Sequence, residues 1–500
     1  MGARNLAVLA LWPTLVWGQS LKEFEKKVTE FTLPNGLHFI VCERHEAPVV
    51  SFFTYVNAGA VDDPKGKTGL AHMFEHMAFK GTPSIGSLNW PEERKALDAI
   101  EQAYDRYEAE RNKGHQADEA KLKQLREALK AAIEKANSYV DQNLYPRLIE
   151  ENGGVGMNAS TGEDSTQYFY SLPSNRVELW FLLESQRFLQ PVFREFYKER
   201  DVVREERRMR TESEPQGQLL EIMQATAFEA SPYKNPAVGW ASDIENLRVR
   251  DANAFFDTHY GPSNITIAIV GDVHPVEARR MAEKYFGPIK SRPLPPPVTT
   301  VEPEQQGEKR AELVFQSEPV VFLAYKRPDQ YDKDDPVYEV LSSVLSSGRT
   351  GMMYKDLVND KKIALEAGAA SQLPGAKYPN LFVFFVAPNM GKTIDENEKA
   401  LFAILDRLKT TKVDDVTLAR VKTKTRAGLI RQLDSNSGLA QALASYFAEY
   451  GNWRKLFTEV DEIDKVSADD VQRVAKTLFD ARKLTSAWIV QPKEEKEATK

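Results

Sequence analysis

The sequence predicts an α+β protein of two homologous domains, each a mostly antiparallel sheet packed with helices, with a helical hairpin inserted in the first. Three observations lead to this prediction: an internal repeat, a proline-rich segment between its two copies, and a long amphipathic stretch within the first copy. The chain has 500 residues, which is too many for one hydrophobic core and also favours two domains.

The internal repeat consists of two blocks, in which Ile244 matches Ile463, 219 positions later. In each block an amphipathic helix leads into a β-rich strand, at residues 265–270 and 484–489. Between the copies, residues 292–297 read Arg-Pro-Leu-Pro-Pro-Pro and predict a stiff, extended linker. We therefore predict a first domain over residues 19–290, a linker over 291–303 and a second domain over 304–492.

The inserted hairpin is predicted over residues 84–147. Apolar residues recur at spacings of three and four on both sides of a turn at Lys113-Gly114-His115. A narrow apolar seam flanked by Glu, Lys and Arg is typical of an antiparallel coiled-coil arm. The arm could gate a cleft, dock a partner or be a passive elaboration of the surface, and the sequence leaves these alternatives open.

Residues 1–18 are predicted to be a secretory signal peptide. Arg4 precedes an apolar run over residues 6–17, and Gly18 follows with Val16 at the −3 position. The run is too short to span a bilayer comfortably, so a retained anchor and a buried first helix are the weaker alternatives. This segment predicts a periplasmic or secreted protein with no stable membrane span.

Composition is that of an ordinary globular chain, with 42% hydrophobic and 28% charged residues. The net charge of −7 and the interspersed basic residues give no reason to expect a nucleic acid partner. The single Cys42 allows no intramolecular disulfide bond and does not identify a compartment.

Residues 72–76, His-Met-Phe-Glu-His, predict a metal site. Two histidines four positions apart project from one face of a helix, and imidazole nitrogens suit Zn²⁺. Glu75 leans toward that face, where it can act as a general base for an attacking water instead of binding the metal. Only three positions define this pattern, so chance matches are common. A helix over this segment is favoured by Thr68, which could cap it, and by the apolar stripe that runs along residues 70–77.

A third ligand is predicted in the charged helix over residues 196–207. Glu199 and Glu206 are seven positions apart, so they differ by only about 20° around a helix, whereas Glu205 is rotated by roughly 100° from Glu206. We assign Glu206 as the carboxylate ligand and Glu199 as the carboxylate that orients the site. The alternative is a solvated run of charges, since residues 198–210 are nearly all charged.

The run over residues 69–82 resembles the zinc helix of the insulinase (pitrilysin, mitochondrial processing peptidase) family of metallopeptidases. Other segments resemble the family in the same order: 33–37, 153–168, 199–206 and 260–272. The resemblance implies a zinc metalloendopeptidase holding one Zn²⁺ per chain. By matching position it implies these residues: His72, His76 and Glu206 as zinc ligands, Glu75 as base and Glu199 in support.

An extended peptide substrate is expected to add to a sheet edge at Asn158, Ala159, Ser160 and Thr161, where backbone hydrogen bonds would align it. The second copy's counterpart of the zinc helix, residues 336–345, has no histidine, so only the first copy can carry the metal.

Two features depart from the family pattern. The 130 residues from His76 to Glu206 exceed the usual separation, and the hairpin accounts for the excess. Active members also carry an Arg and a Tyr in the second half that bind the substrate backbone; Val358 and Leu365 stand there and cannot donate to an oxyanion. The resemblance therefore implies a hetero-oligomer with a closed chamber, in which a related partner subunit supplies the pair. A non-catalytic scaffold and a peptide-binding subunit with structural zinc remain as alternatives.

The other histidines are His38, His45, His115, His259 and His274. None of them pairs with another at ligand spacing in the sequence, so each is predicted to be structural or solvated.

Overall fold

The structure is a computed structural model that describes residues 21–492. The predicted signal peptide, residues 1–18, lies outside this range. Two sheets organise the described chain, and helices pack against both, which confirms the predicted α+β class. Among residues 21–492, no helix combines the length and the apolar character needed to cross a bilayer.

The first sheet has six strands in the order β1-β2-β6-β3-β5-β4. Strands β2 and β6 pair in parallel and all other neighbours are antiparallel. The order leaves β4 at one edge of the sheet. The strands are β1 (Val28–Thr32), β2 (His38–Glu43), β3 (Val49–Val56), β4 (Val155–Thr161), β5 (Thr166–Pro173) and β6 (Ile265–Gly271).

The second sheet has five strands in the order β7-β11-β8-β10-β9. Its one parallel pair joins the first and last strands, β7 and β11, as β2 and β6 are joined in the first sheet. The order β7-β11-β8-β10-β9 corresponds to the order β2-β6-β3-β5-β4 in the first sheet. The two sheets thus share a strand order, as the internal repeat in the sequence leads one to expect. The strands are β7 (Lys309–Val314), β8 (Val321–Arg327), β9 (Ala364–Leu373), β10 (Asn380–Pro388) and β11 (Leu484–Val490).

Sixteen α-helices have both ends within residues 21–492. In chain order they are α1 (Leu70–Met77), α2 (Trp90–Arg111), α3 (Glu119–Asn137), α4 (Leu144–Glu151), α5 (Val177–Leu189), α6 (Phe196–Arg207), α7 (Pro215–Ala227), α8 (Ala241–Glu245), α9 (Val249–His259), α10 (Pro275–Tyr285), α11 (Asp335–Ser346), α12 (Ile394–Thr410), α13 (Asp415–Asp434), α14 (Asn436–Tyr450), α15 (Lys455–Lys465) and α16 (Ala468–Leu478).

The two halves of the chain exchange helices. Helix α7 follows the first-half helix α6, yet it packs on the second sheet against β7, β8 and β11. Helix α14 belongs to the second half, yet it packs on β3 and β6 of the first sheet. Leu219 and Met223 of α7 share an apolar cluster with strand residues of the second sheet, and Leu439 and Leu443 of α14 share one with the first. Each sheet is therefore covered in part by the opposite half of the chain.

Helices α2 and α3 pack against each other around a short turn at Gly114–Gln116. The Tyr104 ring of α2 stacks on Tyr197 of α6 with centroids 5.0 Å apart. A fully buried ion pair between Glu93 of α2 and Arg194, at 2.7 Å, ties the hairpin to the segment before α6. The hairpin is thus fixed to the helix that carries Glu199 and Glu206, while its role stays a prediction.

Residues 291–306 contain no helix or strand, but Glu302 within them is firmly held. Its carboxylate accepts hydrogen bonds from the backbone nitrogens of Glu229, Ala230 and Ser231, at 2.9–3.1 Å, and pairs with Lys326. The segment between the sheets is therefore anchored to both halves of the chain.

Candidate metal centre

Helix α1 forms because its apolar stripe is buried and its amino end is capped from outside. Leu70, Met73 and Phe74 are at most 1% exposed. The Asp63 carboxylate accepts hydrogen bonds from the nitrogens of Gly69 and Ala71 at 2.7 and 2.8 Å, which satisfies donors that the first turn leaves free.

The expected cap at Thr68 is wrong. Gly69 is the N-cap residue, with φ of 85°, and the Thr68 hydroxyl donates instead to Asp243 at 2.7 Å. Left-handed backbone of this kind favours glycine, and the Asp63 carboxylate, six positions earlier in the chain, does the capping that Thr68 was expected to do.

Helix α6 presents Glu199 and Glu206 on the face that meets α1, where both side chains are 14% exposed. Phe196, Tyr197 and Val203 of the same helix are buried, and their packing helps to fix its rotation. The Glu205 side chain is half exposed and pairs with Arg208, away from the histidines. The helix therefore turns Glu199 and Glu206 toward the histidines and Glu205 toward solvent.

The three predicted ligands converge. His72, His76 and Glu206 each offer a ligand atom within 4.8 Å of the others. The Nε2 atoms of His72 and His76 lie 3.7 and 3.5 Å from the two Glu206 oxygens. These distances exceed those of ordinary N–H···O hydrogen bonds but match the roughly 3.3 Å that separates two ligands of a tetrahedral ion with bonds of about 2.0–2.1 Å.

The donor set also fits zinc. Two imidazoles and one carboxylate are the ligands of a known class of catalytic zinc sites. Among residues 21–492, the buried Nδ1 of His72 has no hydrogen-bond partner. A pair of buried imidazoles beside a carboxylate is costly unless a cation or protons satisfy it. The residues present would hold Zn²⁺.

Glu199 orients His76. The Nδ1 of His76 lies 3.4 Å from Glu199 Oε2, and because a carboxylate only accepts, this nitrogen carries the hydrogen and Nε2 is left to face Glu206. Lys80 donates to the other Glu199 oxygen at 2.6 Å and to Glu195 at 3.1 Å. Burial raises the pKa of Glu199, but the hydrogen bonds from His76 and Lys80 outweigh it and lower the pKa to about 2.

Protonation of the two histidines differs. Burial, reinforced by the neighbouring His76, lowers the pKa of His72 to about 4. Burial also lowers the pKa of His76, but the neighbouring carboxylates of Glu199 and Glu206 outweigh it and raise the pKa to about 9. A metal ion would displace a proton from either ring, because imidazole binds metals in its neutral form.

Glu75 lies beside His72, His76 and Glu206 and is not one of the three candidate ligands. The Thr161 hydroxyl donates to Glu75 Oε2 at 2.6 Å. Burial raises the pKa of Glu75, while the hydrogen bond from Thr161 opposes that rise. A carboxyl with a raised pKa, held next to a metal site, is suited to accept and return a proton.

The proposed substrate residues lie on the edge strand β4. Asn158, Ala159, Ser160 and Thr161 pair on one side with β5, and no strand among the described residues pairs with the other side. All four line a cleft of about 620 Å³ together with His72, His76, Glu75, Glu199 and Glu206.

Arg210 was not among the predicted site residues. Its guanidinium Nη1 lies 2.6 Å from Glu206 Oε1, and it belongs to a π-helical turn, Arg208–Glu212, that directly follows α6. The signal was present in the sequence, because Arg210 follows Glu206 by four positions and so shares its face of a helix. It was hidden within a run of charges.

Val358 and Leu365 lie away from the cleft. Val358 is packed against the core of the second half, and Leu365 is 63% exposed at the start of β9. All residues that line the cleft fall between positions 72 and 210. Within the described chain, the second half therefore contributes no side chain to this cleft.

Comparison with known proteins gives family matches along most of the chain. The family model described as Insulinase (Peptidase family M16) matches residues 39–111 and 112–239, and the model described as Peptidase M16 inactive domain matches residues 246–425. The zinc protease PqqE of Helicobacter pylori is 26% identical over 491 residues, covering 95% of this chain and 96% of that protein.

The probable mitochondrial-processing peptidase subunit beta of Arabidopsis thaliana is 23% identical over 479 residues, covering 91% and 77% of the two chains. Among solved structures, a protease from Helicobacter pylori has the same fold, with a TM-score of 0.77 at 24% identity, covering 93% of this chain and 99% of that one.

Proposed function

The chain belongs to the insulinase family of peptidases, peptidase family M16, and from this premise we propose that it is a zinc-dependent metalloendopeptidase that hydrolyses peptides or unfolded segments. One observation carries the proposal: the imidazoles of His72 and His76 and the Glu206 carboxylate meet at ligand distances, with Glu75 beside them. The relatives named zinc protease support zinc as the metal.

When bound, Zn²⁺ would polarise the scissile carbonyl and lower the pKa of water toward about 7. Glu75 takes a proton from the attacking water and passes it to the nitrogen of the departing amine, so that the carboxylate is restored at the end of each turnover. The hydrogen bond from Thr161 holds Glu75 Oε2 and leaves Oε1 as the oxygen that exchanges the proton. Glu199 keeps the His76 ring in one tautomer and one orientation throughout.

An extended substrate would add to the free edge of β4, where the outward-facing backbone groups of residues 158–161 would supply hydrogen bonds. Thr161 ends the same strand and contacts Glu75. Binding along β4 therefore carries a peptide bond toward the catalytic carboxylate.

A related partner subunit would complete the site. The side chains of Val358 and Leu365 offer no hydrogen-bond donor, and the cleft has no lining residue from the second half among those described. A second chain that supplies an Arg and a Tyr to the oxyanion would make the complex a hetero-oligomer with a closed chamber. The similarity to a protein named as a processing-peptidase subunit supports this arrangement.

A peptide-binding subunit that holds zinc structurally is the second candidate, favoured by the same missing donors.

For either function, the apolar run after Arg4 supports export and cleavage after residue 18, which N-terminal sequencing of the exported protein would test.

The deciding experiment measures zinc content and cleavage of an unfolded peptide by the purified chain, alone and mixed with a related chain that carries the Arg and Tyr. We expect about one zinc ion bound by His72, His76 and Glu206. The chain alone should cleave the peptide slowly, and the mixture should cleave it rapidly. The variant E75Q should retain zinc and abolish cleavage by the mixture. A zinc-loaded mixture that is inactive, or one whose activity survives E75Q, would overturn the peptidase proposal.

A further inference from the structure

The chain carries the same short pattern where β2 and β6 end, an acidic residue followed two positions later by a histidine. These are Glu43-Arg44-His45 and Asp272-Val273-His274. Because β2 and β6 are parallel neighbours, with Glu43 opposite Gly271, the carboxyl ends of the two strands lie side by side. A separation of 229 residues in the sequence thus becomes a direct contact between two histidine rings, whose centroids are 5.2 Å apart.

We propose that Glu43, His45 and His274 form a second zinc site, with Asp272 as its supporting carboxylate. Glu43 Oε1 lies 3.5 Å from His45 Nε2 and 3.5 Å from His274 Nδ1. One ligand atom from each residue lies within 4.8 Å of the others. As in the first cluster, these distances are long for hydrogen bonds and close to the separation of two ligands on one small tetrahedral ion.

Asp272 prepares His45 for this role. Its Oδ1 lies 2.8 Å from His45 Nδ1, and since the carboxylate can only accept, Nδ1 carries the hydrogen and Nε2 faces Glu43. The relation repeats that of Glu199 to His76 in the candidate metal centre. A carboxylate that fixes a histidine through the nitrogen remote from the metal is a regular feature of zinc sites.

The backbone around the cluster is fixed. Arg44 donates its backbone hydrogen to Gly271 at 2.9 Å, and Asp272 donates its own to Val49 at 3.2 Å. His274 is the N-cap residue of α10, whose positive end opposes a cation, but the two carboxylates supply more negative charge than that end removes.

The cluster is remote from the proposed catalytic centre. Val50 of β3 pairs with Gly271, whereas Val56 at the other end of β3 pairs with Thr166, which in turn pairs with Thr161. Val50 and Val56 are six positions apart on this strand, a distance of roughly 20 Å. Zinc at the second site would join the end of β2 to the turn before α10 and stabilise the first domain without entering the reaction.

The test titrates ZnCl₂ into the metal-stripped full chain and counts bound zinc by calorimetry and elemental analysis. We expect two equivalents for the unaltered protein, one for H45A/H274A and one for H72A/H76A. The control H115A removes an exposed histidine of the hairpin turn and should leave two. The variant D272N keeps all three ligands and should weaken binding of the second ion about 10–100-fold.

A second measurement separates specific binding from loose surface binding. Zinc should raise the Tm of H72A/H76A, and the rise should vanish when H45A/H274A is added to it. The proposal is overturned if H45A/H274A binds as much zinc as the unaltered chain, or if the second ion binds more weakly than about 0.1 mM. Neither readout uses peptide cleavage, so failure here is distinct from failure of the peptidase proposal.

Discussion

The Thr161 hydroxyl donates a hydrogen bond of 2.6 Å to Glu75 Oε2 and thereby ties helix α1 to the edge strand β4. Glu75 is the proposed base, and Thr161 is the last of the four residues in the proposed substrate edge. One contact therefore sets the position of the proposed base relative to that edge.

Replacing Thr161 by valine keeps the shape of the side chain and removes this hydrogen bond. We expect kcat of the active mixture to fall about tenfold, since a hydrogen bond to a charged group contributes roughly 1.5–3 kcal/mol. Zinc content should not change. T161S restores the hydroxyl and should recover most of the rate; equal rates for T161V and the unaltered chain would show that the contact does not position the base.

Replacing Glu206 by glutamine removes the carboxylate ligand. We expect E206Q to lose most of its zinc on dialysis against a weak chelator, because the amide cannot supply the negative charge that offsets the cation. The matched control is E205Q, one residue away on the same helix, whose side chain faces solvent and pairs with Arg208. Equal zinc retention by E206Q and E205Q would remove Glu206 from the ligand set.

Replacing Glu199 by glutamine tests its orienting role. E199Q retains every proposed ligand but loses the charged acceptor on His76 Nδ1, so zinc affinity should fall about 10–100-fold. E195Q is the control, since Glu195 also pairs with Lys80 but does not contact His76. If E195Q weakens zinc binding as much as E199Q does, the effect comes from Lys80 and not from the histidine.

Glu302 should make stability depend on pH. Burial raises its pKa, but Lys326 and the backbone donors of residues 229–231 outweigh it and lower the pKa from 4.5 to about 2. The stability that its charge contributes is thus complete above about pH 4.5 and is lost as the pH falls toward 2.

We expect E302Q to lower the free energy of unfolding by about 3 kcal/mol at pH 7, as when a buried ion pair is broken, and by less at pH 3. Denaturant unfolding at both pH values measures the difference. E304Q, two positions away on the exposed surface, should have little effect at either. A loss for E302Q that stays constant between pH 7 and pH 3 would rule out the ionised carboxylate as its source.

Local periodicity was enough to place the elements of the candidate centre. The apolar stripe around His72 and His76 predicted a helix, and α1 spans Leu70–Met77. The seven-residue interval between Glu199 and Glu206 predicted that both face one way, and both do meet the histidines of α1. Such patterns repeat within two turns of a helix, so they can be read without knowledge of the tertiary structure.

Contacts made across the fold could not be read in this way. Thr161 meets Glu75 only because β4 lies beside α1, and His45 meets His274 only because two strands far apart in the sequence pair in parallel. The exchange of α7 and α14 between the sheets could not be predicted from the sequence either. The pattern of an amphipathic helix indicates that the helix covers an apolar surface but not which surface it covers.

That exchange determines how the molecule can open. A hinge motion that parted the two halves would strip α7 and α14 from their sheets and expose Leu219, Met223, Leu439 and Leu443 to water. At about 1.5–3 kcal/mol for each side chain, the cost of roughly 6–12 kcal/mol approaches the whole stability of a typical domain. We therefore expect the two halves of the chain to stay together, so that a polypeptide reaches the histidines without α7 or α14 leaving the sheet that it covers.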